Sequence, residues 1–198
     1  MDSIQELEDS IKPFITHIGN KHPLVAEKLD KAFYQLKNAK SIEEYQQTGI
    51  LLRDAWIEFA QKIFIKDFVP AGIEQPSTTD VKKMLEYTLN SFNNCPHKLL
   101  DISKALYNLS NEIQHDTNVD AISPKWGILV TVYNMSLILE LDSQNNKLAE
   151  RRYYKCPQCG SLNLKYYKDM EVDIDGPGAE YEVWSCESCD WEHFRYLV

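Results

Sequence analysis

The sequence predicts a mainly α protein: a bundle of about six helices followed by one small β module. Three observations carry that prediction. Apolar residues recur at the helical period over roughly the first 148 positions. The texture then changes near Ala149, and residues 151–198 hold nine of the 22 aromatics together with alternating stretches. Two cysteine pairs, Cys156-Pro157-Gln158-Cys159-Gly160 and Cys186-Glu187-Ser188-Cys189, lie in that last segment with 26 residues between them. Two domains are expected, 1–148 helical and 151–198 β.

The helices follow one another in clear order. Ser3 to Ile18 places apolar residues at 4, 7, 11, 14, 15 and 18, with Pro13 as an expected kink and Gly19 as a stop. Pro23 opens a second helix carrying Leu24, Ala26, Leu29, Ala32, Phe33 and Leu36. Ser41-Ile42-Glu43-Glu44 is close to a capping box and opens a long third helix toward Asp67. A fourth runs from a Thr79-Asp80 cap through Phe92, and a fifth from His97 to about Asp116. Its Leu99, Ile102, Leu106, Leu109 and Ile113 form one apolar stripe, expected to face the core. Ser123-Pro124 reads as a cap with proline at the first helical position, opening a sixth helix to about Leu148. Beyond it, Leu162 to Ile174, Tyr181 to Trp184 and Trp191 to Val198 read as strands, with Asp175-Gly176-Pro177-Gly178 as a turn.

The cysteine spacing points to a metal. A two-residue gap lets both sulfurs of a tight turn face one ion, and two such turns supply four thiolates to a tetrahedral centre, usually zinc. Cys156, Cys159, Cys186 and Cys189 are the expected ligands. A closed set of four leaves no position for water or substrate, so the expected role is structural. His193, four residues after Cys189, is not needed as a fifth ligand. The order of turn, strand, hairpin, turn and strand resembles the zinc-ribbon family over about 45 residues, and the CPxCG form of the first turn is characteristic of it. The predicted architecture is therefore a six-helix bundle followed by a small β zinc ribbon. Its Tyr166, Tyr167, Tyr181, Trp184, Trp191 and Tyr196 can either stack on bases or fill the small core. Cys95 is left over and reads as a small buried or loop residue.

The charge narrows the partners. The chain of 198 residues carries a formal −9. Of this, −6 falls in residues 1–150, with 15 basic against 21 acidic, and −3 in 151–198, with 6 against 9. That disfavours tight nonspecific binding to nucleic acid, although Arg151, Arg152 and Lys155 make a local basic group. No apolar run approaches the roughly 20 residues needed to span a bilayer. The acidic N-terminus lacks a signal-peptide pattern, so a soluble cytoplasmic protein is expected. There is no glycine loop for phosphates and no serine-nucleophile motif, so no small-molecule cofactor is implied.

One helix carries possible chemistry. Lys104, Asn108, Asn111 and His115 repeat as 4, 3, 4 on the face away from the apolar stripe, and Asn111 and His115 are one turn apart. His17, His22 and His97 lie near helix ends or turns and read as solvated. The segments Leu51-Leu52-Arg53-Asp54-Ala55-Trp56-Ile57-Glu58 and Ser110-Asn111-Glu112-Ile113-Gln114-His115, the latter followed by one more helix, resemble the HEPN superfamily. These are helical bundles of prokaryotic toxins and phage-defence (abortive-infection) proteins. The resemblance covers roughly residues 41–148. The family's motif is an arginine, a polar residue that is often asparagine, three residues and a histidine. Asn111 and His115 match, while Ser110 stands in the arginine's place. The resemblance implies metal-independent RNA cleavage by His115 and Asn111 across a homodimer interface, with Arg53 first and Lys104 second to supply the missing cation. The competing expectations are a non-catalytic bundle that binds RNA, a nucleotide or a protein, and a plain assembly module.

Overall fold

In a computed structural model, residues 4–69, 72–92, 95–149, 156–171 and 179–196 are described. Six helices are followed by a three-stranded antiparallel sheet: α1 (Ile4–Lys21), α2 (Pro23–Asn38), α3 (Ile42–Ile63), α4 (Val81–Asn90), α5 (Leu99–His115), α6 (Ile122–Ala149), β1 (Leu164–Glu171), β2 (Ala179–Cys186) and β3 (Glu192–Tyr196). The chain divides into two compact units, Met1–Gln144 and Asn145–Val198. No described helix is long and apolar enough to cross a membrane.

The local signals explain most of the ends. Ser41 accepts from the Glu44 amide, and the Glu44 carboxylate accepts from the Ser41 amide at 3.0 Å, completing the capping box of α3. Asp80 caps α4 through the Lys83 amide. Other boundaries differ from expectation. α1 runs unbroken through Pro13 and Gly19 to Lys21. α3 stops at Ile63, and Lys66–Phe68 forms a separate 3-10 turn. α6 begins one residue before Ser123, with the Ile122 amide held by Asp120 Oδ1 at 2.9 Å. Pro124 still falls in the first turn, where its missing N–H costs nothing. The Asp175–Gly178 turn, the Arg151, Arg152 and Lys155 group, and the ends of the strands expected to reach Ile174 and Val198 lie outside the described residues.

α3 is the central helix of the bundle and packs against α2, α4 and α5. Leu52, Ala55, Trp56, Phe59 and Ala60 on it are wholly buried. α6 joins at Gly127, where an added Cβ would meet Ile113 of α5 and Leu52 of α3, and through Phe14 of α1, whose ring meets Tyr133 edge-on at 5.2 Å. Lys21 at the end of α1 donates to the Leu139 carbonyl of α6.

Of the five residues in the stripe expected on α5, four meet the core and Ile102 turns outward. Leu99, Ser103, Ser110 and Ile113 are buried, whereas Ile102 is half exposed and Leu106 and Leu109 are partly covered. Close helix packing is the reason. Ser110 presses against α3 at Gly49, and Ser103 donates to Asn134 of α6 at 2.8 Å. Ser110 also donates to the Tyr107 carbonyl at 2.8 Å, so neither hydroxyl is buried unpaired. Small residues that satisfy themselves let backbones approach, so the buried face widens to include them while Leu106 and Leu109 stay packed on the core.

Candidate metal centre and the end of the fifth helix

The second unit is built around its two cysteine turns. Cys156–Cys159 forms the turn before β1, and Cys186–Cys189 links β2 to β3. The same hydrogen bond shapes both: the Cys156 amide donates to the Ser161 carbonyl at 2.8 Å, and the Cys186 amide to the Trp191 carbonyl at 2.9 Å. Each spans five residues, so the turns are near copies. Gly160 has φ of 72°, a conformation open to glycine, which explains the CPxCG form. The turns are tied together by the Ser161 and Ser188 hydroxyls at 2.8 Å and by the Glu187 amide donating to the Asn163 carbonyl at 2.9 Å. Register places Cys186 opposite Leu164, at the end of the β1–β2 pairing.

These constraints bring four sulfurs from distant positions to one point. All four Sγ atoms lie within 4.8 Å of one another. Cys156 and Cys189 approach to 3.5 Å, and Cys159 and Cys186 to 3.6 Å. The contacts cross between the turns, as the edges of a tetrahedron do. The cluster can hold a metal ion, and its all-sulfur donor set suits one that prefers thiolates. Burial pushes the Cys186 thiol up, but the Ser188 and Cys189 amides and the Cys159 and Cys156 thiols outweigh it and bring it down to about 7. Burial and the crowding of the other three sulfurs push Cys189 up to about 12. One thiolate is thus favoured by its neighbours and further ones are opposed by it.

The ribbon's aromatics divide. Trp184 is buried beside Val183 on β2. Tyr167 is half exposed, Tyr181 and Trp191 are partly covered, and Trp191 stacks on His193 at 6.2 Å. The Tyr166 and Tyr196 side chains lie outside the described residues.

The other expected site is at the C-terminal end of α5. His115 is exposed in the last turn. Asn111 is half-buried, and its amide donates to the Tyr107 carbonyl of its own helix at 2.9 Å. Lys104 is held by Glu86 of α4 at 2.6 Å. Ser110, in the place of the family's arginine, is 1% exposed inside the α3–α5 seam, where an added Cβ on Gly49 would come within 2.9 Å of its carbonyl. α3 and α5 run antiparallel, since Gln46 donates to the Asp116 carbonyl at 3.0 Å while Gly49 faces Ser110 and Ile113. Arg53, seven residues past Gln46, lies about 10 Å further along α3. It stands level with the middle of α5 and is partly buried, with its Nε enclosed and unpaired. No hydrogen bond or ion pair among the described residues joins His115 to Asn111, Arg53 or Lys104.

Cys95 is partly buried, and burial raises its thiol, as expected for an inert cysteine. His22 is not simply solvated: it packs edge-on to Phe59 at 6.3 Å, and burial lowers its pKa below 6.5. The only cue in the sequence to the Gly49–Ser110 approach is the small size of both residues. Comparison with protein-family models, curated proteins and solved structures found no match for this chain.

Proposed function

We propose that the protein is a non-catalytic binding module: an acidic helical bundle joined to a ribbon folded around a structural zinc ion, acting by engaging a protein partner. The convergence of Cys156, Cys159, Cys186 and Cys189 carries this reading. A tetrahedron with zinc–sulfur bonds of about 2.3 Å has edges near 3.8 Å. The observed 3.5 and 3.6 Å approaches suit that size. Zinc with four thiolates has a full shell, so it supplies folding energy and offers no site for activated water. A segment of 48 residues buries too little core to fold strongly alone, which gives the metal its purpose. The −9 charge favours a protein over a phosphate backbone as partner.

The resemblance to HEPN domains then concerns scaffold rather than nuclease chemistry. In support, Lys104 is engaged by Glu86, the Asn111 amide is turned to its own helix, and Ser110 is packed away. The ribonuclease reading, with its defence role, keeps one support: His115 is exposed one turn after Asn111. One assay separates the two. Wild-type protein and His115→Ala are incubated with single-stranded and structured RNA in EDTA. The binding-module reading expects no cleavage by either. Cleavage by the wild type that is lost in His115→Ala overturns it.

A further inference from the structure

α6 is apolar on both sides. Its inner face, including Ile128, Val132, Met135, Ile138 and Leu139, is wholly buried. Its outer face exposes Ile122 (61%), Trp126 (52%), Tyr133 (57%) and Leu137 (37%). At 100° per residue these four fall within about 60° of arc, and they span roughly 22 Å of helix. A lone surface helix keeps that face polar.

We infer that this outer face of α6 is the seam of a homodimer, in which α6 packs antiparallel on α6 of a second copy. The spacing identifies the occupant. The intervals are 4, 7 and 4, a palindrome centred between Leu129 and Val130. A two-fold axis at that centre sets Ile122 on the second copy's Leu137 and Trp126 on its Tyr133. Large meets large, and aromatic meets aromatic, twice over. Parallel pairing is worse: Glu140, five turns from Ile122 on the same line, would meet its own copy, and the helix dipoles would align. The area is sufficient. At these exposures the four side chains present on the order of 400 Å2 per copy. Both copies, with Phe14 and Val130 at the flanks, reach the roughly 1,000 Å2 of a specific interface. A lipid surface fits poorly, because interfacial helices are basic on their polar face and this chain carries −9. The inference does not depend on the zinc reading, since the stripe lies wholly within the helical unit.

The test uses the full chain and reads mass by light scattering. At roughly 50 µM, enough to populate a micromolar interface, the wild type should give twice its 23.0 kDa. Trp126→Lys alone and Tyr133→Glu alone should each give the monomer mass with an unchanged helical circular-dichroism spectrum. Mixed one to one, they should recover the doubled mass, because the introduced ammonium of one copy then faces the introduced carboxylate of the other while the second Trp–Tyr contact is intact. Should Tyr133→Glu lower the helical signal, Tyr133→Asp and Tyr133→Gln each take its place in the mixture with Trp126→Lys: a doubled mass from the acid alone supports the register, and one from neither or from both overturns it. A monomeric wild type overturns the inference, as does a dimer that survives Trp126→Lys. Two monomeric variants that fail to pair on mixing overturn the antiparallel register.

Discussion

Gly49→Ala should destabilise the helical unit, although alanine is the better helix former. An added Cβ would stand 2.7 Å from the Gln114 amide nitrogen and 2.9 Å from both the Ser110 carbonyl oxygen and Ile113 Cγ2. Two of those three atoms are backbone, so no rotamer change relieves them. α5 would have to withdraw by about 0.7 Å, the gap between 2.7 Å and the 3.4 Å at which contact becomes ordinary. It is held in place by Ser103 on Asn134 and by Gln46 on the Asp116 carbonyl. Overpacking costs about 1–3 kcal/mol, and two contacts with backbone atoms place this case in the upper part of that range, about 2–3 kcal/mol. Alanine's helical advantage returns about 1 kcal/mol. The net loss is about 1–2 kcal/mol, or roughly 2–8 °C in the midpoint of a unit this size. Gly127→Ala is the control. It carries the same helical advantage, but its Cβ would meet only the methyl ends of Ile113 at 3.0 Å and Leu52 at 3.3 Å, which can swing aside. Its midpoint should stay within about 2 °C of wild type. Thermal melts followed at the helical signal decide the matter. A Gly49→Ala protein as stable as wild type, or more so, would refute the close α3–α5 approach.

Three further outcomes follow from named groups. His22 has a folded pKa below its ordinary 6.5 because it is buried against Phe59, so its stabilising neutral form is secure above 6.5. As the pH falls below that value the unfolded chain takes up a proton that the folded one resists, and stability drops until the folded pKa is passed. Melts across this range should show a loss that His22→Gln lessens; identical slopes would count against a buried His22. Gly160→Ala places a side chain at φ of 72°, costing about 1–2 kcal/mol. In a chelator competition it should release metal roughly 5–30 times more readily than wild type, and equal retention would contradict the turn geometry. Cys156→Ser combined with Cys186→Ser should abolish metal binding while the helical signal persists, because the helices have their own core; full zinc retention would remove these residues from the ligand set.

Much of the fold was legible because its signals are local. The Ser41–Glu44 box, Asp80 and the two C-x-x-C turns act within a few residues and need no tertiary knowledge. The cysteine cluster was legible for the same reason, since its spacing alone places each pair in one turn. The inner face of α5 was legible only in part. Apolar counting placed Leu99, Leu106, Leu109 and Ile113 against the core, as they are, but it also turned Ile102 inward and missed Ser103 and Ser110, whose value lies in small size and self-satisfied hydroxyls against Gly49 and Asn134. Such choices depend on the partner helix. The positions of Arg53 and Lys104 were equally out of reach, because their surroundings come from α4 and α5 and not from their own neighbours in sequence. The outer stripe of α6 was masked by the inner one: a helix apolar all round shows no preferred face until its packing is known.

The proposed closure of Cys156, Cys159, Cys186 and Cys189 around one zinc ion is open to direct measurement by X-ray absorption at the zinc edge of the purified chain. One zinc per chain, four sulfur neighbours at about 2.3 Å and no oxygen or nitrogen ligand are expected. A shell of three or fewer sulfurs completed by a lighter atom would contradict that closure, because it would open the metal to water and return the ribbon to the list of reactive sites.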